Sequence, residues 1–453
     1  MTPTLDQLAR SGVTYTNAYS ACPVCIPARR TLMTGQSTRT HGMRDFGEHV
    51  EMPDVPTLAQ CFRDAGYQAH AVGKLHVYPQ RDRIGFDDVI LNEEGRHHLG
   101  AGADDWELHL AEKGHPGQEY ANGLCNNDYH TRPWHLPDDC HPTNWTAREM
   151  CRMMHRRDPR KPALWYCSFI GPHQPVWPLE AYLQTYQGME IDPPVFGDWS
   201  ADPESLPAPL RRLRDRFSIA HAPGNEIELA RRAFYATITH IDHQIRVVLG
   251  YLREQGLLDN TIVAFTCDHG DMLGDHGLWA KSVFYENSAH VPFFIVPTAG
   301  DQRLPHNTRD DRLVELQDMM PTLLDLAGID IPDTVDGRSL LREDSRDHLY
   351  GEFETGETAS RMIRSGDYKL IYYPVGNHRQ LFNIADDPRE TRELSGDPAH
   401  AESLEKLTDL LLNELYGEDL DWVSDGKLTG VPAEPYQPAS QRNLTAQRGI
   451  RFI

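Results

Sequence analysis

The sequence lacks any long hydrophobic run: nowhere do about 18 consecutive apolar residues occur, the length that a membrane-spanning helix needs. Positive charge is also scarce, since 44 lysines and arginines stand against 67 aspartates and glutamates, giving a net charge of −23. This balance disfavours nucleic acid as a partner, although a local basic pocket is compatible with it. The first residues show no signal-peptide pattern.

Cysteine is sparse and scattered, with eight residues spread between Cys22 and Cys267. A disulfide framework is typical of shorter secreted chains with denser cysteine spacing. Cys22 and Cys25 form a lone C-x-x-C pair, which could be a redox pair or half of a zinc site. Because no second C-x-x-C pair occurs in the sequence, neither function is favoured.

What the sequence does contain is an alternation of strand-like and helix-like segments over residues 1–345. Ala163–Ile170 and Thr261–Thr266 are short apolar runs, typical of buried parallel strands. Glu228–Gln255 has the pattern of a long helix that ends at a glycine. We therefore predict an α/β fold with a large, mostly parallel mixed sheet flanked by helices.

The remaining chain predicts a smaller unit. Residues 346–430 contain three short strand-like segments and then a helix at Ala401–Tyr416, which indicates a C-terminal α+β subdomain with an antiparallel sheet. Residues 431–453 are predicted to be a tail. The segment Arg96–Thr146 has no clean period, and we interpret it as long loops over one end of the main sheet. Its tryptophans suggest carbohydrate contacts or, alternatively, packing of the loops themselves.

The most informative segment is Cys25-Ile-Pro-Ala-Arg29. Pro27 suits the first position of a helix, so Cys25 is expected just before a helix start. Free backbone N–H groups and the positive end of the helix dipole favour anions there. Arg29, one turn further on, could neutralise an oxyanion. On this pentapeptide alone, a buried and inert cysteine is an equally good interpretation.

Other polar residues lie next to predicted strands, where open α/β sheets build their sites. They are Lys74, His76, His173, Asp268, His269 and Lys281. Each alone is more often a structural loop residue than a catalytic one. Together they would suit a tetrahedral anion, because lysines and arginine can surround its oxygens and histidines can transfer protons. An aspartate oxygen suits a hard divalent cation.

These segments together resemble the type I, formylglycine-dependent sulfatases of the alkaline-phosphatase-like superfamily. The resemblance extends from the first residues to about Leu394. Its main motifs are the Cys25–Arg29 pentapeptide, Val72-Gly-Lys-Leu-His76, Pro172-His-Gln-Pro175 and Thr266–Lys281.

The resemblance implies that a formylglycine-generating enzyme oxidises Cys25 to formylglycine after translation. One hydroxyl of the aldehyde hydrate, polarised by the metal and Arg29, would attack the sulfur of a sulfate ester. His173 or Lys281 would protonate the leaving alcohol or phenol. The second hydroxyl, deprotonated with help from His76, would expel sulfate and restore the aldehyde.

The resemblance also assigns binding roles. Lys74 and Lys281 would hold sulfate oxygens, while Asp268, His269 and the residue at position 25 would bind a divalent metal, expected to be Ca²⁺. The substrate would be an aryl, alkyl or carbohydrate sulfate. No nucleic acid or membrane span is expected, and the oligomeric state stays open, a homo-oligomer included.

The chain departs from the family pattern at its start, because the family carries a strand with two acidic metal ligands upstream of the segment that resembles Thr2–Ala9. We expect this first strand to be missing from domain 1–345. A late start codon, a truncated chain and a true loss of the metal site are all open, and the first two are favoured. Localisation stays open too: cytoplasmic as the chain begins, periplasmic or secreted with an upstream signal peptide.

Two other functions are weighed beside sulfate-ester hydrolysis. A phosphonate monoester or phosphodiester hydrolase could use the same formylglycine, and Asp268-His269 is compatible with it. A non-catalytic protein that binds sulfated glycans is the alternative from another class, motivated by the missing metal strand.

Overall fold

Seven strands build the sheet of the N-terminal domain, in two hydrogen-bonded sections. The computed structural model describes residues 1–94, 96, 102–124 and 126–433 of the chain. The strands are β1 Val13–Tyr19, β2 Gln68–Gly73, β3 Asp88–Leu91, β4 Ala163–Ser168, β5 Val263–Thr266, β6 Phe293–Val296 and β7 Thr308–Glu315. One section has the order β3-β2-β4 and is parallel throughout. The other has the order β5-β6-β1-β7, with β6 antiparallel to both of its neighbours and β1 parallel to β7.

The predicted α/β class with a mostly parallel mixed sheet is therefore confirmed. The prediction that β4 and β5 are fully buried is wrong, because most of their residues are half-buried. By contrast β2, which lies between β3 and β4, is almost wholly buried. Each of the two half-buried strands has a hydrogen-bonded neighbour on one side only among the described strands, and this explains the exposure.

Helices cover both faces of the sheet. They are α1 Pro3–Arg10, α2 Cys25–Thr34, α3 Thr38–His41, α4 Leu58–Asp64, α5 Asp105–Glu112, α6 Pro142–His155, α7 Glu180–Gln187, α8 Ala208–Arg216, α9 Gly224–Glu254, α10 Glu286–Ala289, α11 Met319–Ala327 and α12 Ala401–Glu414. Along β2, Val72 faces the cluster built with α6 and α9, and Ala71 faces the core shared with α2 and α11. This alternation is what a strand between two helical layers requires.

The C-terminal part is an antiparallel sheet, as predicted. Its strands are β8 Leu349–Phe353, β9 Ser360–Ser365, β10 Tyr368–Tyr373 and β11 His378–Asn383, in the order β11-β10-β9-β8. α12 packs its leucines on one face, and the other face joins a cluster with Phe284 and Tyr285 of the N-terminal domain. Two short strands, β12 Val423–Ser424 and β13 Lys427–Leu428, form a hairpin beyond α12. The predicted tail lies outside the described residues from position 434 onward.

The tryptophans of the long loop segment are buried. Trp106, Trp134 and Trp145 pack in one cluster with Trp177, which follows this segment in the chain, and the ring centroids of Trp106, Trp134 and Trp177 lie 5.3–6.4 Å apart. Because their faces are used in this packing, the alternative interpretation, that these aromatics pack the loops, accounts for them. No described helix is long and apolar enough to cross a membrane.

Candidate active site

Cys25 begins helix α2 and is 1 % exposed. Pro27 is the third helical residue rather than the first, so the helix starts two residues earlier than the sequence predicted. Val24 caps the helix in an extended conformation and provides no side-chain acceptor for the first-turn N–H groups. The positive end of the helix therefore surrounds Cys25 itself, which suits a nucleophile that reacts with an anion. Cys22 and Cys25 are both free thiols.

Arg29 joins three strand ends at this helix. Its Nε donates to Asp268 Oδ2 at 2.9 Å, just after β5. Its Nη1 donates to the carbonyl of Lys74 at 2.8 Å and to Ser168 Oγ at 3.0 Å, at the ends of β2 and β4. Arg29 thus fixes the relative positions of both sheet sections at the edge where the site lies.

Gly73 allows the chain to turn into the site after β2. Its φ is +106°, and a Cβ there would lie 1.8 Å from the carbonyl oxygen of Ser168. Only glycine fits both the backbone angle and the close approach. The next residue, Lys74, donates its backbone N–H to the same carbonyl at 3.1 Å.

Cationic groups face the thiol. Burial raises the pKa of Cys25, but the charges of Lys281 and Lys74 outweigh burial and hold this pKa well below its usual value. Cys25 Sγ lies 3.2 Å from His269 Nε2, and Lys281 Nζ lies 3.0 Å from His173 Nε2. The thiol thus lies among buried cationic side chains within a strongly acidic protein.

Glu94 is a buried anion that organises three of these groups, and the sequence analysis missed it. Its Oε1 accepts from Lys74 Nζ at 2.6 Å, and its Oε2 accepts from Arg96 at 2.8 Å. His173 Nδ1 lies 3.4 Å from Oε1. Burial alone would raise the pKa of Glu94, but His173, Lys74 and Arg96 hold it well below its usual range.

Glu93 and His76 complete this side of the pocket. Glu93 accepts from the backbone N–H groups of Leu75 and His76 at 2.7 and 2.9 Å. His76 has a φ of +57°, and its two buried ring nitrogens have no hydrogen-bond partner among the described residues. Burial and the nearby cations lower the pKa of His76 to about 3, so the imidazole is neutral. A signal for Glu93 and Glu94 existed, because both follow β3 at the same sheet edge.

Three donors could hold a divalent ion: Cys25 Sγ, an Asp268 oxygen and a His269 nitrogen lie within 4.8 Å of one another. Asp268 stays ionised, because His269 and Arg29 lower its pKa more than burial raises it. This set fits a divalent cation in general, with an oxygen replacing the sulfur if Cys25 is oxidised. It supplies fewer oxygens than the six to eight that Ca²⁺ prefers.

The structure thus gathers every predicted site residue at one sheet edge. These residues are Cys25, Arg29, Lys74, His76, His173, Asp268, His269 and Lys281. The residues that sequence reasoning missed are Glu93, Glu94, Arg96 and Ser168.

Family models match this chain over most of its length. The Sulfatase model matches residues 1–329, and the model for the C-terminal region of N-sulphoglucosamine sulphohydrolase matches residues 274–416. An arylsulfatase of Clostridium perfringens is 35% identical over 446 residues, covering 94% of this chain and 92% of the relative. An N-acetylglucosamine-6-O-sulfatase of Bacteroides thetaiotaomicron is 26% identical, with 90% and 81% coverage.

Solved structures share the fold. A phosphonate monoester hydrolase from Silicibacter pomeroyi superposes with a TM-score of 0.76 at 23% identity, covering 94% of this chain and 92% of that one. A protein solved in complex with its substrate D-glucosamine-2-N,6-O-disulfate gives a TM-score of 0.70 at 22% identity, with 91% and 92% coverage.

Proposed function

Because the chain belongs to the sulfatase family, we propose that it hydrolyses a sulfate ester with a formylglycine made from Cys25. The observation that carries this proposal is the position of Cys25, buried at a helix N-terminus and facing Lys74 and Lys281. A nucleophile there would meet a sulfate whose oxygens are held by cations and by first-turn N–H groups. The substrate class is an aryl, alkyl or carbohydrate sulfate, of which aryl and carbohydrate esters have support from the names of the relatives.

The residues divide the chemistry between them. The hydrated formylglycine has two hydroxyls on one carbon, and one of them attacks sulfur while the bond from sulfur to the leaving oxygen breaks. The leaving oxygen takes up a proton from Lys281 or from His173, whose Nε2 lies 3.0 Å from Lys281 Nζ. Arg29, Lys74 and Lys281 balance the negative charge on the sulfuryl oxygens.

The second half restores the aldehyde. The remaining hydroxyl gives its proton to His76, whose imidazole is neutral and whose ring nitrogens have no hydrogen-bond partner among the described residues. The C–O bond to the sulfate then breaks, inorganic sulfate leaves, and water rehydrates the aldehyde. A plain thiol cannot do this, because it offers no second hydroxyl on the same carbon.

Asp268, His269 and the oxygen at position 25 would hold a divalent cation. When bound, it would act as a Lewis acid that makes the attacking hydroxyl more acidic. Asp268 also holds Arg29 at 2.9 Å, so the same carboxylate positions a cation for the substrate.

A second candidate is the hydrolysis of phosphonate monoesters or phosphodiesters with the same nucleophile. The observation that favours it is the fold similarity to phosphonate monoester hydrolases, with TM-scores of 0.76 in two cases. Comparing turnover of an aryl sulfate with that of an aryl phosphonate would separate the two functions. A non-catalytic protein that binds sulfated glycans is disfavoured, because the chain is a sulfatase.

Peptide mass spectrometry tests the proposal most directly. After co-expression with a formylglycine-generating enzyme, trypsin releases the peptide Ser11–Arg29, which contains both Cys22 and Cys25. We expect fragment ions to place an aldehyde at Cys25 and an unchanged thiol at Cys22, the internal control. An unmodified Cys25 under these conditions would contradict the mechanism.

A further inference from the structure

An aromatic side chain that contacts the candidate site is left exposed. Phe46 is 39 % exposed, although it lies next to a deeply buried site. It belongs to residues 43–56, a segment without helix or strand between α3 and α4. Val50, also apolar, is 50 % exposed, and a Cβ at Gly47 would lie 3.1 Å from its Cγ2. We call Phe46 and Val50 the pocket lip.

The lip is held firmly despite its irregular backbone. Arg44 donates to Asp419 at 3.1 Å, which ties one end of the segment to the C-terminal subdomain. Arg30 of α2 donates to the carbonyls of Val50 and Glu51 at 2.9 and 2.7 Å. An exposed aromatic on a fixed segment loses little entropy when it binds a ligand.

Phe46 contacts the chemistry on its inner side. Its ring centroid lies 5.5 Å from that of His76, with the rings nearly perpendicular. The Arg96 guanidinium lies 5.7 Å from the centroid of Phe46. The same guanidinium is paired with Glu94, which holds Lys74 and His173. One side of the ring therefore touches the group proposed to accept a proton, while the rest faces solvent.

We propose that Phe46 is the platform that binds the ring of an aromatic leaving group, and so selects aryl sulfates. This inference rests on the proposed hydrolysis of sulfate esters. The neighbouring carboxylate of Glu48 is paired with Arg96 at 2.5 Å, so its negative charge is balanced within the protein. The lip therefore favours an uncharged ring over a cationic ligand. A flat ring stacked on the exposed part of Phe46 would lie beside His76, the group proposed to accept a proton.

Equilibrium binding tests the platform without requiring turnover. The full chain carrying Cys25→Ala is titrated calorimetrically with 4-nitrophenyl sulfate and with methyl sulfate. Adding Phe46→Ala should weaken 4-nitrophenyl sulfate binding about tenfold and methyl sulfate binding less than about twofold. Phe46→Tyr should restore the binding of the aryl ester.

Two variants on α9 are matched controls. Leu229→Ala removes an apolar side chain that is 38 % exposed, close to the 39 % of Phe46, and Val247→Ala removes one that is 50 % exposed. Both should leave the two dissociation constants unchanged.

The outcomes are distinct. Equal weakening of both ligands by Phe46→Ala would show a merely structural role and overturn the platform. Unchanged binding of the aryl ester would overturn it as well. Absence of turnover of any sulfate ester by the matured wild-type protein would overturn the proposed function instead.

Discussion

Replacing Glu94 by glutamine should disable the site while changing the side-chain volume very little. The carboxylate accepts from Lys74 and Arg96 at 2.6 and 2.8 Å and faces His173 at 3.4 Å. All four groups are buried, so loss of the anion leaves three cationic or protonatable groups without their common partner. Breaking a buried ion pair typically costs about 3–5 kcal/mol of folding stability.

Activity should fall together with stability. A shift of about 1 Å in positioning groups can lower the rate about 100-fold, so we expect kcat/KM of Glu94→Gln to drop by at least about that factor. Steady-state kinetics on 4-nitrophenyl sulfate and calorimetric unfolding measure the two effects. Glu112→Gln, an exposed glutamate on α5, is the control and should match the wild type. Wild-type kcat/KM and thermal stability in Glu94→Gln would refute the reasoning.

Three further changes test other parts of the structure. Asp104 is buried with a pKa raised to about 7, by burial and then by Glu107. The folded state therefore binds the proton of Asp104 more tightly than the unfolded state does. The contribution of Asp104 to the free energy of unfolding should fall by up to about 4 kcal/mol as pH rises from about 4 to about 7. In urea unfolding, Asp104→Asn should therefore show a flatter pH dependence of stability than the wild type. Gly73→Ala should unfold or lose solubility, because its Cβ would lie 1.8 Å from Ser168 O; normal circular dichroism and melting would contradict this. Asp268→Asn should weaken divalent-ion binding by at least about tenfold in isothermal titration, and unchanged affinity would exclude Asp268 as a ligand.

The sequence predicted the fold class because its periodic segments are long and cleanly ended. Glu228–Gln255 was predicted as a helix, and α9 spans Gly224–Glu254 with Gly256 at a φ of +66° just beyond it. The three strand-like segments predicted within residues 346–430 are present as β8, β9 and β10. The degree of burial of β4 and β5 was not predictable, because an apolar run carries no information on how many neighbours the strand has.

The site was predictable as a set of residues at strand ends, but its electrostatic organisation was not. Lys74 and His173 were singled out as individual groups, whereas the shared anion Glu94 lies in an acidic pair that resembles any solvated loop. Which of two adjacent glutamates meets cations depends on the direction of each side chain. Glu93 accepts backbone N–H groups and Glu94 accepts cations, a division that only the fold defines.

Arg44, which precedes Phe46 in the chain, donates to Asp419 in the C-terminal subdomain. Asp419 also accepts from Arg361 at 2.7 Å, and Arg361 is fully buried in β9. Local opening of the C-terminal sheet would release these ion pairs and free Arg44 with them. Opening of the subdomain and loosening of the pocket mouth should therefore occur as a single cooperative unit. In native-state hydrogen exchange, amides of β9 and those around Phe46 should then share one opening free energy, and catalytic activity should disappear before the N-terminal sheet unfolds.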